Sequence, residues 1–201
     1  APSAYSNSKP TAVYALILAN FVSFILDKIL HLPMMSMFYL YHSQVSWWQP
    51  ITSVFCHGSQ AHLSGNIFLL LLFGRSVEDD LGASGLLFTF CFCGILANLV
   101  SLVMLPPNTV SLGASGAVFG LFTVSVMARL SPRELDWRKL IEVLVLGEFV
   151  VGKMLSEMKT AAMGGVAGVN HVAHLAGAGS GILMVALLRI FVNTMEKQEK
   201  K

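Results

Sequence analysis

Charged side chains are scarce in this chain: Asp, Glu, Lys and Arg make up 12% of its 201 residues, and the formal net charge is only +2. So small and scattered a positive balance excludes a nucleic-acid partner, which needs a concentrated basic face. Cysteine is sparse as well. Cys56, Cys91 and Cys93 are odd in number and fall in or beside apolar runs, so no disulfide framework is implied and the three thiols read as packing residues. There is no cofactor-binding or metal-ligating pattern, and the Met and Phe runs read as lipid-facing or core packing. The chain opens at Ala1 rather than at a methionine, which suggests a processed or truncated N-terminus whose targeting segment is no longer visible. What the chain does hold is apolar bulk. Hydrophobic residues make up 55% of it and the mean hydropathy is +0.69, more than a soluble domain of this size needs. Composition therefore puts it in a bilayer.

Six apolar segments follow one another along the sequence. They run from about Thr11 to Leu26, from His62 to near Arg75, over Ala83 to Leu105, from Ser115 to Arg129, over Leu140 to Leu155 despite Glu142, Glu148 and Lys153, and from Val172 to Val192. Pro106 and Pro107 stop the third. The first, second, fourth and fifth are shorter than the roughly 20 residues a full span requires. The fourth is expected to start below the membrane surface, behind a loop that dips in where protein or a water-filled cavity covers its backbone. Glu148 and Lys153 read as facing a cavity or snorkelling to the interface. The expectation is an all-α, polytopic membrane protein, with residues 1–10 as an N-terminal tail, 11–192 as the transmembrane domain and 193–201 as a C-terminal tail. If six helices alternate in direction, ten of the thirteen Lys and Arg share one side, and only Lys28, Lys153 and Lys159 lie on the other. That bias is what the positive-inside rule predicts. The stretch from Asp27 to Gln60, with Pro33, Met34, Met35, Tyr39, Tyr41, Trp47 and Trp48, then reads as a partly helical interfacial loop with an aromatic anchor.

The same alternation sends the three even-numbered helices in from the sparsely charged side. His62 and Asn66 open the second, Ser115 the fourth and His174 the sixth, so four polar residues distant in sequence share one depth, where an ionisable group is a functional hypothesis by default. Ser115 lies at a helix N-terminus, a favourable place for an anion. Gly116 and Gly120 stand four apart on its helix, matching Gly177 and Gly181 on the sixth. Two such faces could pack closely enough for His174 to reach Ser115. Taken singly, each residue has a plainer reading: serines in apolar helices mostly bond back to the helix or fill space, and Asn66 or His62 could be glue between helices. His57 and His171 compete for attention. His171 lies on nearly the same face as His174, but only His174 sits in the Ala-His-Leu-Ala-Gly context. A soluble-type nucleophile elbow is excluded, because Gly-Ala-Ser-Gly-Ala has no preceding strand and lacks the second glycine position.

Four motifs carry a resemblance: Gly113-Ala-Ser115-Gly116; Ala173-His174-Leu-Ala-Gly177 with Gly181; His62-Leu-Ser-Gly-Asn66; and Gly74-Arg-Ser-Val-Glu78-Asp-Asp-Leu-Gly82. Each is weak alone. In this order, with this topology and over nearly the whole chain, they resemble the rhomboid intramembrane serine proteases. The resemblance implies a six-transmembrane-helix rhomboid bundle that cleaves transmembrane protein substrates, with membrane lipid and no nucleic acid as its surroundings and no cofactor or metal. It implies Ser115 as nucleophile, His174 as general base without an acidic third member, and His62, Asn66 and the Ser115 backbone N–H as an oxyanion hole. Phe119 takes the place of the aromatic ring that stacks on the catalytic histidine, and Gly113, Gly116, Gly177 and Gly181 support the dyad. One departure stands out: the Trp-Arg pair usual in the family's first loop is Trp48-Gln49 here, which bears on how that loop is anchored. The chemistry suits the residues, since a serine hydroxyl needs an adjacent base and histidine titrates near neutrality. Inactive rhomboid relatives bind transmembrane clients without cutting them, so a client-binding scaffold is the alternative; retention of Ser115, His174, His62 and Asn66 favours the protease. The His171-Val-Ala-His174 context and the Asp136-Trp-Arg-Lys stretch resemble organellar rhomboids, plastid ones first and mitochondrial ones second.

Overall fold

The computed structural model describes residues 11–130, 137, 141, 143–152 and 171–199. Helix α1 spans Ala12–Phe24 and continues as a π turn over Ile25–Ile29, slightly past the expected end at Leu26. Its first backbone N–H groups have no partners within the helix. Those of Thr11, Ala12 and Val13 donate instead to the carboxylate of Glu78, at 2.9, 2.9 and 3.0 Å. A buried carboxylate facing a helix N-terminus is favoured by both the bonds and the dipole, so Glu78 ties α1 to a segment 66 residues away. A loop follows in short pieces: a 3₁₀ turn over Pro33–Phe38, strand β1 (Leu40–Tyr41), helix α2 (Gln49–Thr52) and a 3₁₀ turn over Ser53–Phe55. Trp47 is 81% exposed at its surface, as an interfacial anchor should be.

Helix α3 (Gln60–Leu69) is capped by Ser59, whose hydroxyl accepts from the His62 N–H at 3.1 Å. A π turn over Leu70–Gly74 joins it to α4 (Arg75–Met104). The second apolar segment was expected to end near Arg75, but helix persists to Leu81 and breaks at Gly82, where φ is 74° and ψ 176°. That left-handed φ suits only glycine without strain. Among the described residues three stretches are long and apolar enough to cross a membrane, Ala12–Ile29, Gln60–Met104 and His171–Ile190, and Ser115–Arg129 and Val143–Gly152 are shorter apolar helices. The 45 residues of Gln60–Met104 would make a helix of roughly 68 Å if unbroken, about twice the hydrocarbon thickness. The Gly82 break divides them.

Strand β2 (Val110–Ser111) pairs antiparallel with β1, Leu40 opposite Ser111 and Tyr41 opposite Val110. This two-stranded piece departs from the all-α expectation; two residues a side leave no sequence period to detect. Helix α5 (Ser115–Arg129) has the boundaries expected of it, α6 covers Val143–Gly152, and α7 runs His171–Glu199, seven residues beyond Val192. Of the fifth segment, Leu140, Glu142, Lys153 and Leu155 lie outside the described residues, as do Lys159, the Asp136 and Arg138 to Lys139 positions and the tail 1–10; Glu148 is exposed.

Helices α4, α5 and α7 all pack against one another. Small residues set that packing. A Cβ on Gly116 would meet Ala97 at 2.5 Å, one on Gly120 would strike Cys93, and one on Gly94 would meet Ala117 at 3.3 Å. As α5 numbers rise, α4 numbers fall, so the two helices are antiparallel. At the same glycines α7 also approaches: Gly177 lies against Gly116 and Gly181 against Gly120, so α5 and α7 run parallel and start at the same end. The apolar core around this contact includes Leu70, Phe73, Leu86, Phe90, Val118 and Leu121, while Leu18, Leu175 and Ile190 face outward.

Candidate active site

Ser115 is the first residue of α5, preceded by Ala114 as a cap with no side-chain hydrogen bond. The N–H groups of the first turn therefore point out of the helix unpaired by it, a positive end for an incoming anion. Gly113 brings the chain to this point with φ of 123°. Its N–H donates to the Ser53 carbonyl at 2.9 Å. Ser53 is held in turn: Asn98 donates to its hydroxyl at 3.0 Å and to the Pro50 carbonyl at 2.9 Å. A second tie comes from His42, whose Nε2 lies 2.9 Å from the Ser111 hydroxyl. The first loop thus fixes the entry to α5 through residues that sequence reasoning passed over. Asn98 carried a signal, being an amide in the middle of an apolar run.

His174 enters from α7, almost completely buried. Its ring stacks on Phe119 with centroids 4.4 Å apart and planes 9° from parallel. Phe119 is one helical turn beyond Ser115, so the stack puts the imidazole at the level of the serine. The close approach of Gly177 to the Gly116 carbonyl allows this, as any Cβ there would overlap that oxygen. No hydrogen bond joins Ser115 to His174 among the described residues, and His174 Nδ1 is buried without a partner. His171 faces the edge of His174 with centroids 6.2 Å apart and makes no stack on Phe119.

The start of α3 closes the other side. A Cβ on Gly113 would fall 2.6 Å from His62 Cε1, 2.8 Å from His62 Nε2 and 3.7 Å from Asn66 Nδ2. His62 thus turns its Nε2 edge to the loop that leads into Ser115. Asn66 is buried, and its amide nitrogen has no protein partner. His62, Asn66, Gly113, Ser115 and, through Phe119, His174 are all gathered at one end of the bundle. A hydroxyl, an imidazole and an amide donor without a protein partner are parts that acyl transfer uses.

Around them, Gln49 answers the anchoring question raised by its place in the Trp48-Gln49 pair. It is buried, its Oε1 accepts from the N–H groups of Ser46 at 3.2 Å and Tyr41 at 3.4 Å, and its Nε2 donates to the Met37 carbonyl at 3.4 Å. An amide that both donates and accepts holds three points of the loop. His57 lies fully buried with its ring edge-on to His62 at 5.0 Å. Burial, with His62 beside it, pushes its pKa down to about 3. Burial also pushes the Cys56 thiol up to about 11, too high to serve as a nucleophile near neutrality. Among the described residues no three His, Cys, Asp or Glu side chains are grouped to hold a metal ion.

Comparison with known proteins agrees with this architecture. Residues 44–191 match the Rhomboid domain. The chain is 40% identical over 212 residues to Rhomboid-like protein 11, chloroplastic, of Arabidopsis thaliana, covering 98% of this chain and 74% of that protein. It is 31% identical over 144 residues to the Presenilin-associated rhomboid-like protein, mitochondrial, of Homo sapiens, covering 67% of this chain and 36% of that one. Rhomboid protease GluP of Bacillus subtilis is 33% identical over 96 residues, 48% of this chain and 18% of its own length.

Proposed function

The chain belongs to the rhomboid family of membrane proteins, and on that premise we propose that it is an intramembrane serine endopeptidase cutting transmembrane protein substrates. Ser115 Oγ attacks the scissile carbonyl carbon while His174 takes the hydroxyl proton. As the C–N bond breaks, the imidazole passes that proton to the leaving amine and an acyl ester remains on Ser115. A water molecule, deprotonated by the same imidazole, then hydrolyses the ester. The oxyanion of each tetrahedral intermediate is stabilised by His62, Asn66 and the Ser115 N–H, donors worth about 10²-fold to 10³-fold each in comparable sites. The observation that carries this reading is the stack of His174 on Phe119, one turn from Ser115, opposite an Asn66 amide without a partner. The hydrogen bond between hydroxyl and imidazole closes when substrate arrives, as catalytic hydrogen bonds are often long in its absence.

The bundle has six membrane helices in this reading, the Gly82 break separating the second from the third and the parallel α5 and α7 being the fourth and sixth. The membrane is a plastid one, on the 40% identity to the chloroplastic Arabidopsis protein; the mitochondrial inner membrane is the alternative. Localising a tagged full-length precursor decides between them.

The test of activity uses purified protein in proteoliposomes, a reporter transmembrane substrate and a fluorophosphonate probe. Wild type should cleave the reporter and be labelled at Ser115, and Ser115→Ala and His174→Ala should each lose cleavage while keeping the wild-type melting curve. Cleavage that survives in Ser115→Ala would end the serine-protease reading. A well-folded wild type that is neither labelled nor active, yet retains the reporter segment in pull-down, would favour the client-binding scaffold.

A further inference from the structure

Between α1 and the first loop lies a groove of about 560 Å³ that the chemistry above does not use. Ala15, Ala19, Val22 and Leu26 mark its α1 side, three or four residues apart on one helical face, and Met35, Phe38 and Phe55 mark the loop side. Two hydroxyls also line it, and both are engaged: Ser23 donates to Cys56 Sγ at 3.8 Å and Thr52 to the Phe38 carbonyl at 3.0 Å. The groove therefore asks for hydrocarbon. Its lining ends at Leu26 and Phe38, and Asp27, Lys28 and Tyr39 follow directly in sequence. Lys28 Nζ donates to the Tyr39 hydroxyl at 2.8 Å and pairs with Asp27 Oδ2 at 3.2 Å, while a third of the Lys28 side chain stays exposed. An ammonium has three N–H donors, so one is left to give.

Length decides what kind of hydrocarbon fits. From Leu26 back to Ala15 the helix rises roughly 16 Å, about half the 30 Å thickness of the hydrocarbon core. The exposed Trp47 on the same loop marks the interface, so the groove runs from headgroup depth to the midplane. That is the reach of one acyl chain in one leaflet, whereas a transmembrane segment of a protein would need a groove of full thickness. The polar cluster at the mouth decides the headgroup. Asp27 and Lys28 together carry no net charge but present both signs, which complements a headgroup built the same way and repels a purely anionic one through Asp27. We propose that this groove holds one acyl chain of a zwitterionic glycerophospholipid, its phosphate accepting the remaining N–H of Lys28 and its ammonium balanced by Asp27. Thr52 and Phe55, which line the groove, flank the Ser53 whose carbonyl holds the Gly113 N–H at 2.9 Å. A seated lipid thus bears on the segment that fixes the entry to Ser115.

The experiment places the full chain in nanodiscs of equal phosphatidylcholine and phosphatidylglycerol, with a trace of either lipid carrying a diazirine on one acyl chain, and maps the photolabel by peptide mass spectrometry. Ordinary boundary lipid sets the baseline at the exposed α7 residues Ile182 and Leu187. With the phosphatidylcholine probe, peptides covering 15–26 and 35–56 should be labelled about fivefold above that baseline, and with the phosphatidylglycerol probe they should not. Lys28→Met should remove most of the excess, and Asp27→Asn should let phosphatidylglycerol label the groove as well as phosphatidylcholine does. Ala19→Phe, at an exposed position on α1, fills the groove with its own ring and should bring labelling to the baseline at unchanged Tm. Labelling of the groove at the baseline in wild type overturns the proposal, and so does an excess that survives both Lys28→Met and Ala19→Phe. An equal excess from both probes in wild type removes the zwitterion. Displacement of the lipid by an equimolar reporter transmembrane segment would make the groove a protein docking face instead. None of these readouts needs cleavage, so the protease reading can fail without touching them.

Discussion

The contact between α5 and α7 lends itself to a test with an internal control on the same helix. Gly177 has no room for a Cβ: it would overlap the Gly116 carbonyl oxygen. One turn on, a Cβ at Gly181 would stand 2.6 Å from the Gly120 oxygen, 0.8 Å short of the 3.4 Å where ordinary contact begins, and the deficit at Gly177 is larger still. Because the obstacles are backbone atoms, they cannot swing aside, and α7 must move off α5 by at least that distance. Overpacking of this kind typically costs about 1 to 3 kcal/mol. The shift carries His174 with it, and a misplacement of about 1 Å at a reacting group can cost roughly 10²-fold in rate. Gly177→Ala should therefore lower kcat/KM about 100-fold in proteoliposomes and reduce Tm in detergent. Gly179, two residues away, has nothing within 4 Å of its would-be Cβ, and Gly179→Ala should gain roughly 0.5 to 1 kcal/mol from helix propensity with activity unchanged. If Gly177→Ala matched Gly179→Ala in both activity and Tm, the close packing of α5 on α7 could not be what sets the dyad.

Asn66→Ala should lower kcat about 10²-fold to 10³-fold with little change in Tm, because its amide nitrogen has no protein partner to lose; a large Tm loss with normal turnover would make Asn66 helix glue instead. Glu78→Gln should destabilise by about 1 to 3 kcal/mol, since an amide offers one acceptor and two donors to the three N–H groups of Thr11, Ala12 and Val13, and chemical denaturation in mild detergent measures it. Acid should destabilise the protein through His57. Its folded pKa of about 3 lies below the unfolded value of about 6.5, so the unfolded chain takes up the proton first as pH falls. Its stabilisation is complete above about pH 6.5 and fades towards pH 3, by at most about 1.4 kcal/mol per unit. His57→Phe should show a shallower loss of Tm between pH 6.5 and 4; an identical slope would mean that His57 is not held neutral by burial.

Much of this protein was legible without coordinates. Bilayer residence follows from composition, and the helices follow from apolar runs punctuated by Pro106, Pro107 and glycine, because hydrophobicity and backbone restriction act over a few residues and are written locally. The spacing of Gly116 and Gly120, and of Gly177 and Gly181, foretold faces able to touch, since four residues make one helical turn. What the sequence could not set was which polar group meets which across the fold. Glu78 reaching the first turn of α1, Asn98 holding Ser53 beneath Gly113, Gln49 clasping the first loop and His57 lying against His62 all depend on packing between segments tens of residues apart. The two-residue β1–β2 pair and the extension of helix to Leu81 are of the same kind, set by neighbours rather than by period. Hydrogen bonds are directional over about 3 Å, and only the tertiary structure fixes positions that finely.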